Sequence, residues 1–144
     1  MDKILVSQVT EKDVEAYEAQ IWKPEDIAHY GREVSWEEWK PDFFIFKAEN
    51  NGKTVGVIGG HTIAGVLFIE RIVVSPSERG KGIGKLLMEK AEEHARLIGA
   101  HKIFLNTGKG WEANEFYKFL GYKKTGELTK HYLKVDFVVY SKFL

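Results

Sequence analysis

The run Val73-Val74-Ser75-Pro76-Ser77-Glu78-Arg79-Gly80-Lys81-Gly82-Ile83-Gly84-Lys85-Leu86-Leu87 constrains this chain more than any other stretch. An apolar segment ends at Pro76, a glycine-rich turn follows, and a helical pattern begins at once. A strand, a tight turn and a helix N-terminus in that order build an anion site from main chain alone. The first helical turn has N–H groups without internal partners, and the helix dipole places roughly +0.5 charge there. Gly82 and Gly84 would let a phosphate approach the backbone without meeting a Cβ, and Arg79, Lys81 and Lys85 add mobile positive charge. The turn is expected to hold a phosphorylated cofactor.

Three phosphate-binding patterns compete for it. A P-loop requires Ser or Thr after its Gly-Lys pair, and Leu86 follows Gly84-Lys85, so that reading fails. A dinucleotide fold requires GxGxxG and an acid ending the second strand, whereas the glycines here run GxGxG and Asn106-Thr107 ends that strand. The third pattern is Arg/Gln-x-x-Gly-x-Gly/Ala after a strand ending in Val, and Val74 with Arg79–Gly84 fits it at every required position.

The 144 residues suit one domain, 1–144. Zero formal net charge argues against nucleic-acid and anionic-membrane partners. The absence of cysteine excludes disulfides, thiolate metal sites and cysteine nucleophiles, and fits a cytoplasmic location. His29, His61, His94, His101 and His131 show no metal-ligand spacing, so no metal is expected. The N-terminus is too short and polar for a signal peptide, and no run approaches the length of a membrane span.

Ile4–Val9 reads as an opening strand, followed by a helix capped by Thr10 and interrupted by Pro24. Ser35-Trp36-Glu37-Glu38 repeats the capping pattern, and Pro41 stops the short helix it starts. Trp22, Tyr30, Trp36 and Trp39 crowd this region, either to pack a helical layer or to line a pocket. Phe43–Glu49 and Thr54–His61 form a hairpin about Asn51-Gly52. Gly65–Ser75 suits a central strand buried on both faces. A helix from Ile83 ends at Gly99; Lys102–Asn106 is a strand, Trp111–Leu120 a helix, and Tyr122–Leu128 and Leu133–Phe143 two last strands. The order implies a mixed α/β (α+β) sheet with helices on its faces, its long strand and Lys102–Asn106 being parallel neighbours.

About thirty residues past the turn comes Ala113-Asn114-Glu115-Phe116-Tyr117-Lys118-Phe119-Leu120-Gly121-Tyr122. This segment and the glycine turn together resemble the GNAT superfamily of acetyl-CoA-dependent N-acetyltransferases, over Gly56 to Tyr122. The resemblance implies a mostly antiparallel sheet of six or seven strands with about four helices, splayed at one parallel pair. Pantetheine would lie in the splay against main chain at Ile72, Val73 and Val74, one N–H there facing the thioester carbonyl. The N–H groups of Arg79, Gly80, Lys81, Gly82, Ile83, Gly84 and Lys85 would hold the pyrophosphate of acetyl-CoA, with Asn106 and Asn114 as further cofactor contacts. Tyr117 stands where the family places its general acid, against the alternative of a packing tyrosine.

The base is open. Many relatives carry a glutamate on the strand matching Lys102–Asn106, and this chain has Leu105 and Asn106 there. Glu70 is the best remaining carboxylate, as base, amine anchor or member of a salt bridge; pairing with Arg71 is not expected, since successive strand residues face opposite ways. His131, Glu112 and a water chain are the alternatives. The acceptor is expected to be a small-molecule or peptide amine, met by His29, Tyr30, Trp36, Trp39, His131 and Tyr132, with Glu33, Glu37 and Glu38 nearby in sequence. An N-terminal peptide acetyltransferase and a non-catalytic acyl-CoA sensor are the competing readings, and a homodimer is compatible with the family.

Overall fold

Every strand among the described residues lies after Pro41. The computed structural model describes residues 2–144 in two compact units, one running to Glu38 and the other spanning Trp39–Leu144.

The first unit holds helix α1, Glu11–Tyr30. Its N-terminus is fixed by Asp13, whose carboxylate accepts from the Thr10 N–H at 3.0 Å and from the Thr10 hydroxyl at 2.9 Å. Those bonds hold the Asp13 carboxyl below its ordinary range. Gly31 closes the other end at φ 75°, donating to the Ile27 carbonyl at 2.9 Å. Pro24 therefore does not interrupt the helix. The hydrogen bond it cannot make would have used the Gln20 carbonyl; Gln20 is exposed, so solvent serves that oxygen, and two strong caps outweigh the loss. Ile4–Val9 is not a strand either: it is irregular and exposed, with no ladder among the described residues to take its backbone groups. Past Gly31, Arg32 grips Glu38 in a forked ion pair, and the Ser35 N–H donates to the same carboxylate at 3.0 Å. The Glu38 carboxyl is pushed down to about 2, chiefly by Arg32.

In the second unit the sheet runs in the order β1-β2-β3-β4-β6-β5, from β1 (Asp42–Asn50), β2 (Lys53–Ile63), β3 (Val66–Val74), β4 (Lys102–Gly108), β5 (Lys123–Leu128) and β6 (Phe137–Phe143). Only β3 and β4 are parallel. Asn51 and Gly52, at φ 52° and 76°, make the expected hairpin turn between β1 and β2. The last strand starts at Phe137 and not at Leu133, because Tyr132–Lys134 forms a 3-10 turn with Leu133 and Lys134 at positive φ.

Helix α3 (Ile83–Leu97) covers one face of the sheet, burying Leu87, Met88, Ala91 and Ala95 against Phe44, Ile58, Leu67 and Ile69. It ends where its sequence indicates: Gly99 at φ 77° donates to Arg96, and Ala100 reaches back to the Ala95 carbonyl at 2.8 Å. The short α4 (Ala113–Phe119) begins two residues later than expected, since Trp111 is spent in the turn after β4.

One polar knot ties α3 to β6. The Glu92 Oε1 atom accepts from the Tyr122 hydroxyl at 3.0 Å and from Lys142 Nζ at 3.0 Å, while Lys142 also donates to the Leu120 carbonyl. Burial, then the Glu92 charge, pushes the Tyr122 phenol far above its ordinary range. Glu92→Ala should strand a largely buried ammonium and lower stability by about 3 kcal/mol. The check is the urea midpoint at unchanged slope; an unmoved midpoint would mean that water replaces the carboxylate.

Candidate active site

β3 is the strand on which the site is built, and it breaks the alternation its sequence promises. Against β2, Gly60 pairs with Ile69 and Gly59 with Arg71, so Glu70 is the extra residue of a β-bulge. The bulge shifts the phase of the strand. Leu67 and Ile69 before it face α3, and Ile72 and Val74 after it face the same way. Glu70 and Arg71 consequently both lie on the opposite face. Their side chains meet, Arg71 Nη1 standing 3.7 Å from Glu70 Oε2, which corrects the expectation that neighbours on this strand cannot pair. Nor is the strand buried on both faces throughout: Glu70, Arg71 and Val73 are exposed.

The other Glu70 oxygen is 2.6 Å from Nδ1 of His61. His61 comes from β2, and its ring lies between Phe43 and Phe68, at 5.5 and 5.6 Å. Sequence reasoning gave His61 no role, because partners nine residues apart on two strands share no local spacing. The signal that was present is the Gly59-Gly60 pair just before it, since glycines inside a strand mark a bulge.

The bulge is also where two strands part. β3 pairs with β4 only from Val66↔Lys102 to Ile69↔Leu105. Beyond that row β3 stays with β2 as far as Val74↔Gly56, and β4 stays with β6 as far as Gly108↔Phe137. The backbone edges of Ile72, Val73 and Val74 and of Asn106 onward thus face a wedge with no ladder across it. Asn106 is the first β4 residue inside it, and its Oδ1 is buried without a hydrogen-bond partner among the described residues. Buried polar atoms are rarely left so, and an extended ligand carrying amides would satisfy both edges and this oxygen.

Past the end of β3, a 3-10 turn at Pro76–Glu78 leads into the glycine loop. Arg79 donates from Nε to the Val74 carbonyl at 3.3 Å, tying loop to strand. The N–H groups of Gly80, Lys81, Gly82, Ile83, Gly84 and Lys85 reach no backbone carbonyl of a described residue; the first helical donor is Leu86, to Gly82 at 3.1 Å. Gly82 caps α3 at φ 83° with open space where a Cβ would stand. Gly84 meets a second requirement that its sequence does not show. A Cβ there would lie 3.2 Å from Phe116, so its missing side chain admits α4. Lys81 is held by Glu78 at 2.8 Å and is less mobile than its sequence suggests.

Through Phe116, α4 brings Tyr117 over the row where β3 and β4 separate. The Tyr117 ring packs on Tyr140, which pairs with Leu105, and on Tyr122. Tyr117 is 6% exposed, and burial raises its phenol to about 12. Its hydroxyl takes part in no hydrogen bond with any described residue. Asn114 is engaged: its amide donates to the Gly108 and Trp111 carbonyls at 2.9 and 2.7 Å, and its oxygen accepts from Tyr140. Little of it remains for a cofactor. Glu112 is the exposed residue before α4, and His131 stacks on Tyr132 at 4.1 Å in the β5–β6 loop.

The Acetyltransferase (GNAT) family model matches residues 8–122. The chain belongs to this family. An uncharacterized N-acetyltransferase of Methanocaldococcus jannaschii is 33% identical over 74% of this chain, which spans only 54% of that relative. Among solved structures, an acetyltransferase from Bacillus cereus superposes with a TM-score of 0.70 at 22% identity, covering 98% of both chains. A GNAT family acetyltransferase from Elizabethkingia anophelis with acetyl-CoA bound gives 0.63 at 16% identity, over 69% of this chain and 75% of its own. The parted β3–β4 pair is therefore the GNAT arrangement, carried by a GNAT fold.

Proposed function

We propose that residues 1–144 act as one domain that transfers an acetyl group from acetyl-CoA to a primary amine, by direct attack within a ternary complex and without a metal. The observation that carries the reading is the wedge beyond Ile69 and Leu105, with an orphaned Asn106 oxygen at its apex and unspent N–H groups at its mouth. Acetyl-CoA supplies the activated acyl carbon. The main-chain edge at Ile72, Val73 and Val74 would hold the pantetheine amides, with one N–H toward the thioester carbonyl. The Arg79–Lys85 loop would take the pyrophosphate.

The two faces of the sheet divide the proton work. Glu70, held by His61, lies on the face away from α3 and would accept the proton of the incoming amine. Tyr117 lies on the α3 side and would donate a hydrogen bond to the departing sulfur. The wedge joins the two faces, so amine and leaving group would meet different residues. A small amine or an amino-acid-like metabolite is the favoured acceptor.

The test is a thiol-release assay with acetyl-CoA across polyamines, amino acids, aminoglycosides and N-terminal peptides, beside calorimetric titration of acetyl-CoA. Release with a small amine is expected. Gly82→Val should weaken acetyl-CoA binding about tenfold or more, since a β-branched residue resists φ 83°. Absence of acetyl-CoA binding to the unmodified protein would overturn the proposal.

A further inference from the structure

We propose that Arg71, beside the Glu70–His61 pair, is the binding site for an anionic oxo-acid group, carboxylate or phosphonate, that the acceptor carries next to its amine. This rests on the transferase reading above and adds the chemical class of the acceptor.

The argument begins with the bulge. A regular strand would turn Arg71 toward the face covered by α3, where a guanidinium could not be solvated. The extra residue turns it to the face that Glu70 shares. The guanidinium then lies flat on β2. A Cβ built on Gly59 would come within 2.8, 2.9 and 3.0 Å of Nη1, Cζ and Nη2 of Arg71, three nearly equal distances that describe a plane resting on the glycine. Glycine at this position is what allows the fork to be seated, and seating it removes much of the freedom an exposed arginine would have to lose on binding.

The fork is held but not used. No hydrogen bond joins it to any described residue. Its nearest carboxylate oxygen is 3.7 Å away, beyond hydrogen-bonding reach. Glu70 is not free to turn toward it, because its other oxygen is committed to His61 at 2.6 Å. Phe43 and Phe68 flank the His61 ring with apolar surface, so the charged partner beside Glu70 for an anionic substituent is Arg71. A carboxylate and a guanidinium thus stand within the span of one small zwitterion. An acceptor with an amine alone would bring its ammonium beside Arg71, whose single long ion pair to Glu70 leaves the fork without a bidentate partner, and like charges at that range repel. An acceptor with two anionic oxygens a few bonds from the amine would match the fork in bidentate fashion while its nitrogen faced Glu70.

The experiment compares matched acceptors in the thiol-release assay: an α-amino acid against its carboxamide, and an aminoalkylphosphonate against its neutral diester. The unmodified protein should favour the acidic member of at least one pair by about thirtyfold in kcat/KM, the scale of one charge-assisted bidentate contact. Arg71→Gln should bring that ratio close to one, with Arg71→Lys in between, since an ammonium keeps the charge and loses the fork. The comparison on the unmodified protein requires no variant to fold. Equal or better turnover of the neutral members, or a ratio that Arg71→Gln leaves unchanged, overturns the proposal while the transferase reading stands. Acetyl-CoA binding with no turnover of any acceptor overturns it too, and absence of acetyl-CoA binding overturns both readings together.

Discussion

Tyr117→Phe is expected to lower kcat well over tenfold, with the affinity for acetyl-CoA within about twofold of the parent, as for loss of a single general-acid donor. The ring carries the packing on Tyr140 and Tyr122 and survives the change; only the hydroxyl goes. That hydroxyl is buried and partnerless, and burial has raised it to about 12, so it remains a neutral O–H donor throughout the working pH range. A thiolate leaves with a pKa near that of a free thiol, about 8.5, so full proton transfer from such a phenol is uphill and the hydrogen bond is the contribution. Two pH consequences follow. Any alkaline limb in kcat below about pH 11 belongs to another group and should persist in Tyr117→Phe. For stability the sign is fixed by a folded value above the unfolded one: the contribution is complete below about pH 10 and is lost as pH rises toward about 12. Removing the hydroxyl should blunt that alkaline loss. An unchanged kcat would return Tyr117 to packing alone.

Gly60→Ala should destabilise the protein by about 3 kcal/mol, the upper end of the usual range for overpacking, because the atoms it meets cannot yield. A Cβ at Gly60 would sit 2.0 Å from the Phe68 carbonyl oxygen and about 3 Å from the Phe68 carbonyl carbon and Ile69 Cα, all main chain of β3. Relief requires β2 and β3 to separate or the bulge to move, and either one re-aims Glu70. The urea midpoint measures the first effect. If the variant still folds, a fall in kcat larger than any change in acetyl-CoA affinity measures the second. A midpoint shift under about 0.5 kcal/mol would show that the bulge does not depend on a bare backbone at this position.

Most of the secondary structure was legible because its determinants are local. Asn51-Gly52, Gly99, Thr10 with Asp13, and Ser35 with Glu38 each carry their own hydrogen-bond or φ requirement within a few residues. Where the reading went astray, the deciding partner was distant or missing. Ile4–Val9 has strand-like composition but no ladder among the described residues. Pro24 carries a rule about helix interiors that two good caps override. That Phe116 lies over Gly84 is likewise not legible in the sequence, because the two residues belong to different helices. The three hydrogen bonds of Asn114, to Gly108, Trp111 and Tyr140, were not legible for the same reason.

By itself the sequence determined the family and the loop proposed to hold the acetyl donor. Glycine spacing, the strand before it and the Ala113–Tyr122 segment specify a family, because the backbone that holds a pyrophosphate must be bare at particular positions and a helix must begin there. The side chains proposed to meet the acceptor were brought together by tertiary structure. One unpaired residue in β3 cancels the two-residue alternation on which every strand reading depends, and so places Glu70 and Arg71 on one face beside His61. A bulge belongs to a pair of strands, not to either one, and its consequence for side-chain direction appears only when both are in register.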